Sequence, residues 1–167
     1  MPKYKEKKII LGIDPGLATT GYGVIISSCS LTKNVDYGCI TTKPKEPFGQ
    51  RLEKIYIELK KIIKKHQPNQ IAVEELFFAK NIKTALKVGQ ACGVIFLTAS
   101  QMKIPVREFT PLQVKQALTG YGRADKKQIQ KIVKLMLKLK EIPRPDDAAD
   151  ALAIALCCAQ TKRLSNE

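Results

Sequence analysis

Lys8-Ile9-Ile10-Leu11-Gly12-Ile13-Asp14-Pro15-Gly16 is a short, largely β-branched apolar run closed by an acid and a Pro-Gly turn, which predicts a strand ending at Asp14. Downstream, Gly21 to Ile26 and Val35 to Thr42 have the same character with polar turn residues between them, so three strands in an antiparallel meander are expected. The period then changes. Leu52, Ile55, Tyr56, Leu59, Ile62 and Ile63 recur at helical spacing within Gln50 to His66, with lysines on the solvated face. Gln67-Pro68-Asn69 stops that helix, and Gln70-Ile-Ala-Val-Glu74 is another strand that ends on an acid. A long helix over Asn81 to Met102, a strand over Ile104 to Phe109, and helices over Pro111 to Leu118, Lys126 to Lys140 and Asp146 to Gln160 are expected to follow. Strands separated by helices run parallel, so the chain is predicted to be α/β, a mixed five-stranded sheet flanked by helices.

A chain of 167 residues, 44% of them hydrophobic, can bury a core without staples. One domain over 8–160 is expected, preceded by a basic, flexible extension at 1–7 and followed by a short tail at 161–167. Lys and Arg number 29 against 15 Asp and Glu, a net charge of +14, far more than solubility requires, which points to a polyanionic partner. A membrane partner is not expected. No stretch approaches the roughly 20 apolar residues of a spanning helix, and the opening MPKYKEKK has no apolar signal core behind it, so a cytoplasmic location is expected. The five cysteines, Cys29, Cys39, Cys92, Cys157 and Cys158, are odd in number and lack C-x-x-C spacing, which reads as reduced thiols rather than a zinc site or a disulfide framework. His66 is the single histidine, so any histidine-based chemistry would depend on it alone.

The acids are more informative. Asp14 and Glu74 each close a strand, and in open α/β sheets sites gather beyond the carboxyl ends of the strands. Asp147-Ala-Ala-Asp150 opens the last helix, where a three-residue separation leaves the two side chains about 60° apart around the axis. Ala148, Ala149, Ala151, Ala153 and Ala155 keep that helix thin, so it can lie close to the sheet and bring the pair toward Asp14. Four convergent carboxylates repel one another unless a cation intervenes. An all-oxygen set without His or Cys suits Mg²⁺ or Mn²⁺, and two such ions clamp a phosphodiester for in-line attack by water. Taken singly, each acid has an ordinary use: Asp14 in a turn, Glu74 and Glu75 as solvated strand-end charges, Asp146 as the N-cap of the last helix.

Four segments, Ile9-Ile-Leu-Gly-Ile-Asp-Pro-Gly-Leu-Ala-Thr-Thr-Gly-Tyr-Gly-Val24, Ile71-Ala-Val-Glu-Glu-Leu-Phe-Phe-Ala-Lys-Asn81, Ala85-Leu-Lys-Val-Gly-Gln90 and Asp147-Ala-Ala-Asp-Ala-Leu-Ala-Ile-Ala155, closely resemble the RuvC family of Holliday-junction resolvases, in order, from about residue 8 to 160. The resemblance implies a ribonuclease H-like fold and a homodimer. It also implies a metal-dependent crossover junction endodeoxyribonuclease that makes symmetric, 5′-phosphate-producing nicks in four-way junction DNA, with RuvA and RuvB, the branch-migration complex, as partners. The family's four acidic ligands fall on Asp14, Glu74, Asp147 and Asp150, holding two Mg²⁺ per site with Mn²⁺ able to substitute. Its basic residues near the cleaved phosphate fall on Lys115 and Lys126, and its junction-centre aromatic on Phe77, where a ring can stack on an unpaired base. Phe78 is the alternative for that aromatic, and Asp146, four residues before Asp150, is an alternative ligand to Asp147.

Two other classes compete. Asp14-x-Gly16-x-x-x-Thr20 followed by Gly21-x-Gly23 also resembles the phosphate hairpin of actin-like ATPases and sugar kinases, but those folds duplicate the domain to enclose a nucleotide. A non-catalytic junction-binding protein would keep the lysines and have no use for acids on a DNA-binding face, where they weaken affinity. Another ribonuclease H-like nuclease is the nearest enzymatic rival. The helix at Asn81 to Met102, with Ala85, Leu86, Gly89, Ala91, Cys92 and Gly93, is the candidate dimer surface, packing on the chain's own sheet being its alternative role.

Overall fold

The computed structural model describes residues 7–28, 31–75 and 82–164. In chain order the elements are β1 (Lys8–Asp14), β2 (Thr19–Ser27), β3 (Thr32–Thr41), α1 (Phe48–His66), β4 (Gln70–Glu74), α2 (Ile82–Gln101), β5 (Val106–Phe109), α3 (Pro111–Thr119), α4 (Lys126–Met136) and α5 (Asp146–Leu164). The five strands form one sheet in the order β3-β2-β1-β4-β5. The meander pairs antiparallel, while β4 and β5 add in parallel beside β1, as the alternation of strands and helices predicts.

Alternate side chains of each strand enter different cores. Leu11 and Ile13 of β1, with Val24, Ile71 and Val73, pack beneath α1 and α2 against Ile55, Leu59, Ile63, Ala91 and Ile95. Ile10, Ile25 and Phe109 face the other way, against α3, α4 and α5. Helix α5 lies between the sheet and the α3–α4 pair, so residues 151 to 159 are buried on every side, the pattern of a core helix rather than an amphipathic one.

Several boundaries differ from expectation, two of them for a shared reason. Helix α4 stops at Met136, not Lys140, because Lys138 takes a left-handed conformation with φ 52°. The N–H of Leu139 then returns to the carbonyl of Lys134 at 3.0 Å, and Leu139 folds onto the core in the manner of a Schellman cap. Lys103, with φ 56°, ends α2 the same way, and the N–H of Ile104 is spent on the carbonyl of Ala99, so β5 starts at Val106 rather than Ile104. At the other end, α1 begins at Phe48 because the carbonyl of Pro47 already accepts from the N–H of Arg51. Helix α5 continues past Gln160 to Leu164.

Candidate active site

The register of the sheet brings the first two acids together. Ile13 pairs with Val73 in the parallel β1–β4 ladder, so Asp14 and Glu74 leave adjacent strands at the same level. Helix α5 supplies the other two from its N-terminal end, Asp147 in the first turn and Asp150 three residues on. Its approach depends on residues that composition alone did not single out. Gly21 is the ladder partner of Asp14, and a Cβ there would collide with the backbone carbonyl of Asp147. Gly12 likewise leaves room for the carbonyl of Ala151. The thin alanine face of α5 thus meets strands whose inward positions carry no side chain; the signal was the G-x-G spacing at 21 and 23 together with Gly12, set against an alanine-rich helix.

The electrostatics of the cluster follow from this convergence. Burial, then the charges of Glu74, Asp150 and Asp147, push the Asp14 carboxyl up to about 8, with Lys126 opposing. Glu74 is raised by burial and by Asp150, an effect that Lys115 and Lys126 reduce. Asp150 is raised by burial despite a hydrogen bond and charge from Lys126, with Asp147 and Asp146 adding to the rise. Asp14, Glu74, Asp147 and Asp150 therefore share one electrostatic environment, and the two sequence-predicted lysines face it. Lys126, at the start of α4, sets its ammonium 3.0 Å from Asp150 and 3.6 Å from Asp146. Lys115, on α3, acts on Glu74; α3 is fixed by a capping box between Thr110 and Gln113.

Asp146 stands apart from this set. It is not the N-cap of α5, since the N–H groups of Ala148 and Ala149 go to the carbonyl of Pro145. Its carboxylate instead accepts from Arg144 at 3.0 Å and from the buried Gln130 at 3.1 Å, and it is not among the charges that act on Asp14. Phe77 and Phe78 lie outside the described residues, as does Cys29.

The donor set suits a hard divalent cation: the acids that act on Asp14 are all carboxylates, partly buried and mutually repelling. Among the described residues, no three acidic, histidine or cysteine side chains close tightly enough to enclose an ion as they stand. Neither thiols nor imidazole compete. Cys39, opposite Gly21 in the β2–β3 ladder, is held up to about 11 by burial and the charge of Asp147, then by Asp14, against a hydrogen bond from Ala148. His66 bonds Asp36 through Nε2 at 2.8 Å, tying α1 to β3. Cys92, Cys157 and Cys158 are buried and form no disulfide among the described residues.

Comparison with known proteins gives one family. Residues 10–158 match the family model described as "Crossover junction endodeoxyribonuclease RuvC". The chain is 58% identical over 152 residues to the crossover junction endodeoxyribonuclease RuvC of Desulforamulus reducens, covering 91% of this chain and 93% of that one. It is 54% identical over 158 residues to its counterpart in Desulfitobacterium hafniense, at 95% and 96% coverage. Among solved structures it resembles T. thermophilus RuvC in complex with Holliday junction substrate, with a TM-score of 0.90, 37% identity, and 95% and 96% of the two chains covered.

Proposed function

The chain belongs to the RuvC family of crossover junction endodeoxyribonucleases, with its ribonuclease H-like sheet, and on that premise we propose how it resolves Holliday junctions: by metal-dependent hydrolysis at Asp14, Glu74, Asp147 and Asp150. The observation that carries this reading is the convergence of strand-end and helix-start carboxylates, three of which, Glu74, Asp150 and Asp147, act on Asp14, with Lys126 bonded to Asp150. These four residues would hold two Mg²⁺ ions, with Mn²⁺ able to substitute, and the bound metal would supply water activation and stabilisation of the leaving oxygen.

The chain's own groups do the rest. Asp14 and Glu74 are fixed by adjacent strand ends, and Asp147 and Asp150 by a buried helix, so the ligands are held on rigid elements. Lys126 and Lys115 line the same rim and carry positive charge to the phosphate beside the bond that breaks. The net charge of +14 supplies backbone affinity for the junction arms. Phe77, outside the described residues, is assigned to stacking at the junction centre.

Symmetric paired nicks require two copies of the site, and the homodimer surface assigned here is α2. Its inner residues Ala91, Cys92, Ile95 and Ala99 are consumed by the chain's own core, while Leu86 and Leu97 remain 63% and 55% exposed with Gly93 open between them. The helix serves both roles, with different faces. Among the described residues no helix is long and apolar enough to cross a membrane. Action on DNA in the cytoplasm and association with the RuvA–RuvB branch-migration complex are parts of the proposal that rest on family membership.

The test is a labelled mobile four-way junction incubated with Mg²⁺ or Ca²⁺, with linear duplex and an RNA–DNA hybrid as alternative substrates. Paired nicks in Mg²⁺, binding without cutting in Ca²⁺, and an Asp14→Asn variant that binds but does not cut are expected. Junction binding without cleavage in either Mg²⁺ or Mn²⁺ would leave a binding protein, and preferential cutting of the hybrid would replace the proposed mechanism with another ribonuclease H-like specificity.

A further inference from the structure

The four acids and two lysines account for the cluster, but they leave Asp146 unexplained. This carboxylate is adjacent in sequence to one assigned ligand and four residues from another. Its oxygens face away from Asp14 and toward Arg144, Gln130 and Lys126. Gln130 is buried and its amide is committed to Asp146, so the carboxylate is held in place rather than left to wander on an exposed helix end.

Lys126 is shared. Its ammonium stands 3.0 Å from Asp150 and 3.6 Å from Asp146. A divalent cation bound by Asp150 repels an ammonium in contact with the same carboxylate. The ammonium must then leave, and an acceptor fixed less than an ångström farther away gives it somewhere to go without full return to water.

We infer that Asp146 is a positioning residue that takes Lys126 from Asp150 when metal binds, holding the ammonium at the rim where the phosphate arrives. Asp146 is not a ligand in this arrangement. Arg144 compensates its charge and Gln130 helps to fix its rotamer, so it can accept Lys126 without rotating into the carboxylate cluster. The inference rests on the metal-centre reading of Asp14, Glu74, Asp147 and Asp150, and its test separates the two.

Metal-free full-length protein is titrated calorimetrically with Mn²⁺ as wild type, Asp146→Asn, Lys126→Met and the double variant. With Lys126 present, loss of Asp146 confines the ammonium to Asp150, and Mn²⁺ affinity is expected to fall about ten-fold. With Lys126→Met in the background, Asp146→Asn is expected to change affinity by less than about two-fold. Arg144→Gln, an exposed change that loosens Asp146 without removing it, gives a smaller loss in the same direction and covers the case in which Asp146→Asn folds poorly. Equal losses with and without Lys126 would overturn the inference, because Asp146 would then act through its charge alone. Absence of Mn²⁺ binding by both wild type and Lys126→Met is a different outcome, and it would overturn the metal centre itself.

Discussion

Gly21 stands opposite Asp14 in the β1–β2 ladder, and the side chain it lacks would occupy the place of the Asp147 backbone carbonyl. The spacing between the acid of β1 and the acids of α5 is therefore set by a hydrogen atom. Gly21→Ala should push the start of α5 outward, and because about 1 Å of misplacement can cost on the order of 10²-fold in rate, single-turnover junction cleavage should fall by about that factor. Thermal stability should fall too. Gly49→Ala is the control: a Cβ there meets nothing, and replacing a helical glycine should stabilise by roughly 0.5–1 kcal/mol. Full cleavage by Gly21→Ala would refute the packing account.

Mutual repulsion makes the cluster a liability until a cation is present. Asp14→Asn removes the most strongly perturbed of these carboxyls, so in EDTA the variant should melt above wild type. Added Mg²⁺ or Mn²⁺ should raise the wild-type melting temperature and leave the variant nearly unchanged, reversing the order. Scanning calorimetry with and without metal reads both effects, and a wild type that melts higher under both conditions would contradict the repulsion argument.

Asp36 lies below its ordinary pKa: burial would raise it, but hydrogen bonds and charges from Lys65 and His66 prevail. A carboxylate with a depressed folded pKa contributes stability above its unfolded value, near 4, that is lost as pH falls through the folded one. Asp36→Asn should therefore lower the melting temperature at pH 7 by about 2–4 °C, and the difference should vanish at the acid end, below pH 4. A difference that persists undiminished at low pH would point to packing instead.

The outward face of α2 predicts assembly. Leu97→Glu places a charge on a face whose exposed leucines, Leu86 and Leu97, do not serve the chain's own core, so sedimentation is expected to show a monomer for the variant and a dimer for wild type. Cleavage should degrade from paired to isolated nicks, because a single site cannot cut both strands symmetrically. A Leu97→Glu protein that remains dimeric would move the interface elsewhere.

Much of this was legible in the sequence because the signals were local. Asp14-Pro-Gly and Glu74 mark strand ends by their own chemistry, and Asp147 with Asp150 share a helix face by spacing, so the acids could be named before their contacts were visible. What sequence did not display was the path of termination by left-handed residues that are not glycine. Lys103 and Lys138 end helices through backbone geometry, which the lysine side chain does not announce, and so α4 was drawn too long. The end of α1 at the left-handed Gln67 was found only because Pro68 follows it. The role of Asp146 is hidden for a related reason: its position at the start of a helix suggests a cap, but Pro145 offers its carbonyl there, and Arg144 with Gln130 claim the side chain. Both side-chain hydrogen-bond partners come from outside its helix, one of them sixteen residues away.

Helix α5 is enclosed by the sheet on one side and by α3 and α4 on the other, and two of the four acids, Asp147 and Asp150, sit near its N-terminal end. Excursions that would set Asp147 and Asp150 adrift must open the interior that holds the chain folded, so the site has no private route to failure. Under heat, the clock for losing cleavage and the clock for unfolding are then the same clock.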